Sequence, residues 1–278
     1  MKKKNESSEQ LNIQLFLLCM LAALLCRRLG KISSLRIICG MLRTMIYIGV
    51  YIGWGISIYK RVIQKSVRNV LIFIAELIIF WFVVRTTKYF FTMDNQIARY
   101  LWYSYYIPML FIPVAVLQAA FFLGKSEEYR LPKWLKGVYI PTAVLVLLVL
   151  SNDLHQLVFS FPVGSAWSDS HYTYGWGYYV VLVWEVVCAL TAFVLMIYKC
   201  RHSQKKKYLP LLGIGAAVLY AVLFINGVAW VQEIGGDITA VLCLFFVGIL
   251  ESCVRCGLIQ TNTGYDQLFE VCTLGAQI

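Results

Sequence analysis

Charge is what this chain most lacks: 14% of its 278 residues are Asp, Glu, Lys or Arg, against about a quarter in water-soluble domains. With 60% apolar residues and a mean hydropathy of +0.71, no soluble core could hide so much apolar surface. Histidine is scarce too, at three residues, and neither His-x-x-x-His nor His-x-Glu spacing occurs. That removes the ligand sets of metal hydrolases. No Gly-x-Ser-x-Gly elbow offers an acyl-transfer nucleophile. Gly124-Lys125-Ser126 mimics the end of a phosphate loop, but Ala119 stands where that loop needs its first glycine. Gly213, Gly215, Ala216 and Ala217 follow no strand and read as small residues that let a neighbouring membrane helix approach. The nine cysteines avoid the longest polar loop, so a disulfide-stapled fold is excluded, and Cys253-x-x-Cys256 reads as two buried thiols. No metal or cofactor is implied.

What is present is a series of seven apolar stretches: Met41 to Tyr59, Asn69 to Val84 or on to Phe91, Tyr100 to Leu123, Val138 to Leu150, Trp176 to Tyr198, Tyr208 to Trp230, and Asp237 to Cys253. A hydrocarbon layer about 30 Å thick admits only segments that satisfy their own backbone hydrogen bonds. The expected fold is therefore all-α, a polytopic membrane helix bundle of seven transmembrane helices plus an extra N-terminal hydrophobic segment. The loops between the seven carry, in order, four, three, four, no, five and no Lys or Arg. Positive loops stay cytoplasmic. The core is thus expected to start outside and end inside, with Ser151 to Gly175 and Val231 to Gly236 outside. The net charge of +11 is read as this topology facing anionic lipid, and no nucleic-acid partner is expected.

Residues 1–40 fit that scheme poorly. Leu11 to Cys26 is apolar, but crossing from inside would leave Arg27, Arg28, Lys31 and Arg36 outside, and no small-residue cleavage site follows. The organisation expected is an extension over 1–40 peripheral to the core, a seven-helix domain over 41–255, and a cytoplasmic tail over 256–278. In that tail Tyr265 to Val271 forms a short amphipathic relay segment after Asn262-Thr263-Gly264.

Polar groups inside the spans and the long loop are the candidates for function. Carboxylates in membranes are costly and default to pairing or function. Glu185 lies nine residues into its span, roughly 13 Å below its outer end at about 1.5 Å per residue. Glu76 is expected to face another helix, and Gln118 and Asn226 to bond between helices. The loop combines Asp153, His155, Asp169 and His171 with Phe159, Phe161, Trp167, Tyr172 and Tyr174, the mixture of rings and a few polar groups that makes small-molecule sites. Glu185, Asp153, His155, Trp167 and His171 are accordingly expected to form one ligand pocket opening outward. A carboxylate at its base favours a cationic or hydrogen-bond-donating ligand.

The runs YLWYSYYIPMLFIP (100–113), SNDLHQLVF (151–159) and ESCVRCGLIQTNTGYDQLF (251–269) resemble the N-terminal seven-transmembrane sensor region of bacterial histidine kinases, most closely a clostridial-type group. The resemblance covers about Met41 to Val271. It implies a multi-pass protein of the bacterial plasma membrane, an input module of a two-component system whose last helix feeds a cytoplasmic histidine kinase core. That core also makes a homodimer a partner to expect, beside the lipid bilayer and a small-molecule ligand at the outer face. No phosphoacceptor helix, Asn-containing ATP box or Gly-rich lid occurs before Ile278, so these residues are expected to carry no enzyme activity themselves. They read as a truncated product, a fragment of a longer reading frame, or a sensor acting through a separate partner. The alternative function is a small transporter or permease, favoured by Pro108 and Pro113, which break one helix, but not by any internal repeat. A membrane enzyme using Glu185 or Asp153 is weaker, because no second carboxylate or metal set accompanies them.

Overall fold

A computed structural model describes residues 2–90, 95–126, 128–162, 171–202, 208–235 and 238–261. The fold is an all-α membrane bundle. Helix α1 (Lys2–Leu29) reverses through a 3-10 turn at Ser33–Leu35 into α2 (Arg36–Arg61), which is followed closely by α3 (Lys65–Phe90). Helices α4 (Asn95–Ser104) and α5 (Tyr106–Phe122) form one broken crossing, as do α6 (Lys133–Gly137) and α7 (Tyr139–Leu150). A loop follows with the single turn α8 (Asn152–His155) and an antiparallel ribbon of β1 (Phe159–Ser160) and β2 (Thr173–Tyr174), in which Phe159 faces Tyr174. Helices α9 (Trp176–His202), α10 (Tyr208–Ile225), α11 (Ala229–Gly235) and α12 (Ile238–Arg255) complete it.

Among the described residues six segments are long and apolar enough to cross a membrane: α2, α3, Gln96–Phe122, Lys133–Leu150, Trp176–Lys199 and α10. The seventh expected stretch is α12, packed along α10. The first four crossings begin four or five residues ahead of the stretches read from sequence, and two crossings are broken or stopped for a local reason. The third crossing breaks at Tyr105, because Pro108 has no N–H to offer the Ser104 carbonyl; instead Tyr105 N–H turns back to Trp102 O at 3.1 Å. The sixth crossing ends at Ile225, not Trp230. There Gly227 adopts φ +73° and the Val228 N–H caps the Leu223 carbonyl at 3.1 Å, a helix stop that glycine permits.

Helix α5 is the hub. From Ile112 to Ala120 every residue is buried, whereas α2, α9 and α10 each keep an apolar face outward, as helices bordering lipid do. Helices α3, α7 and α9 pack around α5. Pro113 in its interior is tolerable because neighbouring helices enclose it. The apolar core splits in two. A large cluster joins α2, α3, α5, α9, α10 and α12, and a smaller one joins the starts of α5 and α9, the end of α7 and the loop.

Helix α1 lies along α2. Its last turn and the residue beyond it reach α11, where Arg28 Nη1 and Lys31 Nζ meet Glu233 Oε1 at 2.8 and 3.2 Å. Arg27 donates to the Gln232 carbonyl at 3.1 Å. Three of the four cations that break the charge rule are thus bonded to α11. With the helices crossing in alternate directions, this junction shares a face with the long loop, hereafter the loop face, and the ends of α2, α5 and α12 share the opposite, basic face, where residues after α12 bond to Ile63 and Gly124.

Candidate functional site

The loop is organised around Asn152, which is fully buried. Its Oδ1 accepts the backbone N–H groups of Val158 and Phe159, each at 3.0 Å, and its Nδ2 donates to the Phe159 carbonyl at 2.8 Å and to Tyr103 Oη at 3.1 Å. Tyr103 in turn donates to Asp153 Oδ1 at 2.8 Å, and Asp153 Oδ2 pairs with Arg99 at 2.8 Å. One polar chain therefore runs from α4 through α8 into β1. It holds Phe159 inside a nest of rings, with Trp102, Tyr172 and Tyr106 at centroid distances of 4.5, 5.3 and 5.7 Å, and Tyr174 stacks on Tyr178 at 4.0 Å. The backbone closes tightly as well: a Cβ on Gly175 would stand 2.1 Å from the Leu157 carbonyl oxygen.

The residues singled out from sequence are distributed across this arrangement. Asp153 belongs to the chain just described. His155 accepts the Leu157 N–H on Nδ1 at 3.0 Å, so the proton sits on Nε2, which donates to the Leu148 carbonyl at 3.1 Å. His171 is exposed, and Trp167 lies outside the described residues. Glu185, half-buried on α9, has no hydrogen bond or ion pair among the described residues, and the Tyr106 and Tyr178 hydroxyls lie within electrostatic range of it. No hydrogen bond among the described residues joins it to Asp153 or His155. A groove of about 710 Å³ between α7 and α9 is lined by apolar residues such as Val144, Val183 and Trp184 and includes none of the three.

Three further expectations sort differently. Gln118 does bond between helices, accepting from Tyr139 at 3.1 Å. Asn226 instead donates to Val222 of its own helix at 2.7 Å. Glu76 faces outward from α3 rather than towards another helix, because its neighbours Ala75 and Leu77 take the inward positions. Arg99, Tyr103 and Asn152 were missed by sequence reasoning.

A second polar knot occupies the basic face. Glu251 of α12 accepts Arg61 Nη2 at 2.7 Å and Trp54 Nε1 at 3.2 Å from α2, and Arg255 Nε at 2.8 Å from its own helix. The chain leaving α12 does not fall away. Leu258 and Ile259 are buried, the Leu258 carbonyl accepts the Gly124 N–H at 2.8 Å, and the Gln260 carbonyl accepts the Ile63 N–H at 3.3 Å. Val62 and Thr261 form an isolated antiparallel bridge. The exit from the last helix is thereby fastened to the turn between α2 and α3 and to the end of α5. Lys199 of α9 adds a hydrogen bond to the Phe121 carbonyl at 2.6 Å. The expected relay segment, Tyr265 to Val271, lies outside the described residues.

A family model described as the N-terminal 7TM region of histidine kinase matches residues 15–254. The match begins inside α1, ahead of Met41, and ends one residue before the last of α12. No curated protein and no solved structure matches the chain.

Proposed function

The chain belongs to the family of N-terminal 7TM regions of histidine kinases, and from that premise we propose that it takes a signal at the loop face and delivers it through α12 to a cytoplasmic kinase core. It is a multi-pass membrane protein and a sensor input region of the two-component type. The loop face is assigned to the outside of a bacterial plasma membrane, since the long loop lacks Lys and Arg while residues 199–207 carry five. Arg28 and Lys31 are compatible with that orientation because Glu233 neutralises part of their charge.

Ligand recognition is assigned to the same face. Glu185 is the group that would meet a cationic or hydrogen-bond-donating small molecule, in the company of Tyr106 and Tyr178. Asp153 and His155 hold the loop in place, His171 is exposed in the same loop, and Trp167 stays a candidate by its place in the loop sequence. What supports Glu185 is that a membrane carboxylate without a protein partner is expensive to keep.

The observation that carries the reading is the Glu251 knot, because it ties α2, α12 and the exiting chain into one unit at the basic face. A shift of the helices would be felt there first. The chain fused through Val271 to a histidine kinase core should report this. Glu251→Gln and Arg61→Gln should each change basal kinase output by about fivefold or more, the lower end of allosteric couplings of about 1–3 kcal/mol. Unchanged output in both variants, with normal membrane insertion, would remove the relay. Glu185→Gln should weaken the response to an activating ligand found by screening; unaltered affinity would move the ligand site elsewhere.

A further inference from the structure

A cavity of about 410 Å³ lies between α1, α2, α10 and α12, away from the loop and Glu185. Its size falls within the range of about 300–1,000 Å³ usual for small-molecule sites. Most of its wall is aliphatic, with Met20, Leu219, Leu223 and Leu244 among the lining side chains. Two guanidinium groups, Arg27 and Arg43, line it as well, near enough to repel each other. Arg43 stands seven residues into α2, roughly 10 Å along the axis at about 1.5 Å per residue. It is half-buried and has no carboxylate partner among the described residues. Tyr220 belongs to the same wall. Arg27 donates to the Gln232 carbonyl, which holds its head at the rim.

A guanidinium without a carboxylate partner among the described residues, Arg43, in a largely apolar chamber calls for an anionic occupant. We infer that this cavity binds a single-chain anionic amphiphile, its carboxylate or phosphate head on Arg43 at the side where Arg27 also lines the wall, and its alkyl tail against the leucines of α10 and α12. Guanidinium groups suit either head, since both present the paired oxygens that their N–H fork matches. The volume favours one chain over the two of a membrane phospholipid. This site shares no residue with the proposed ligand site at the loop, and binding to it can be measured without any kinase readout, so either assignment can fail alone.

The test uses the full chain in phosphatidylcholine nanodiscs and a photoactivatable dodecanoic acid bearing a diazirine near its tail end. Crosslinks should map to residues 216–223 and be displaced by excess dodecanoate or dodecyl phosphate, but at least tenfold less well by dodecanol. Arg43→Gln should cut labelling about tenfold, with Arg43→Lys in between. Leu219→Trp, which fills the chamber without touching charge, should also abolish it. Phosphatidylglycerol in the disc should leave labelling in place, because its two chains exceed the chamber, whereas loss of labelling there would overturn the single-chain assignment; the relative displacement by dodecanoate and dodecyl phosphate distinguishes a carboxylate head from a phosphate head. Displacement by dodecanol equal to that by dodecanoate overturns the proposal. So does labelling that is unchanged in both Arg43→Gln and Leu219→Trp, or that maps outside the chamber.

Discussion

At the residue scale the loop depends on a side chain with no charge at all. Asn152 satisfies two backbone donors and one backbone acceptor of the 158–159 segment. In Asn152→Ala the Val158 and Phe159 N–H groups lose their acceptor, at a cost of about 1–3 kcal/mol for each donor left unpaired. Equilibrium unfolding of the detergent-solubilised chain should register the loss, and an unchanged midpoint would show that water replaces the amide. Gly175→Ala should be comparably damaging, since its Cβ meets a carbonyl oxygen of the backbone rather than a side chain that can swing away. Increased protease sensitivity between β2 and α9 is the expected sign. Sequence reasoning chose Asp153 and His155 because they are polar groups set among aromatic residues in one loop. It passed over Asn152 and Tyr103, whose meaning comes from one another across a separation of 49 residues that no local pattern discloses.

Among elements, α1 separates best what sequence can and cannot disclose. Its apolar run was legible, but the four cations Arg27, Arg28, Lys31 and Arg36 at and after its end argued against a crossing. The compensating carboxylate sits 205 residues further on, in α11. Hydropathy likewise located the crossings, and Pro108 marked the third as broken, while the stop at Gly227 stayed unseen because it depends on a single backbone hydrogen bond. The Glu233 carboxyl is held below the ordinary carboxylate range by the hydrogen bond and charge of Lys31 and then of Arg28. A lowered folded-state value means that the attachment is complete above about pH 4.3, the ordinary Glu value, and fades as pH falls through the lower folded value. Because the group is exposed, the effect is local. Hydrogen-exchange protection over residues 20–32, taken relative to the intrinsic rate at each pH, should fall on acidification of the wild type and be lowered already, without further pH response, in Glu233→Gln. Equal exchange in both at neutral pH would mean that apolar packing alone holds α1.

For the whole molecule, the testable quantity is sidedness. In a cysteine-free background an impermeant thiol reagent applied to intact cells should label Leu154→Cys, which stands 88% exposed in the loop, and spare Ser126→Cys beside the exit from α5. The reverse pattern would invert the assignment. The two faces also differ in kind: one is capped by stacked rings and a buried amide, the other laced by the Glu251 knot and the strand-like pairing at Val62 and Thr261. That lacing determines how the bundle would answer a push. A last helix that hung free would pass every thermal jostle downward in proportion. One whose end is stitched to Ile63 and Gly124 moves little until several weak bonds part together, and then moves far. Such an arrangement discards noise and responds in steps, so the output of single molecules should fall into two levels rather than a continuum.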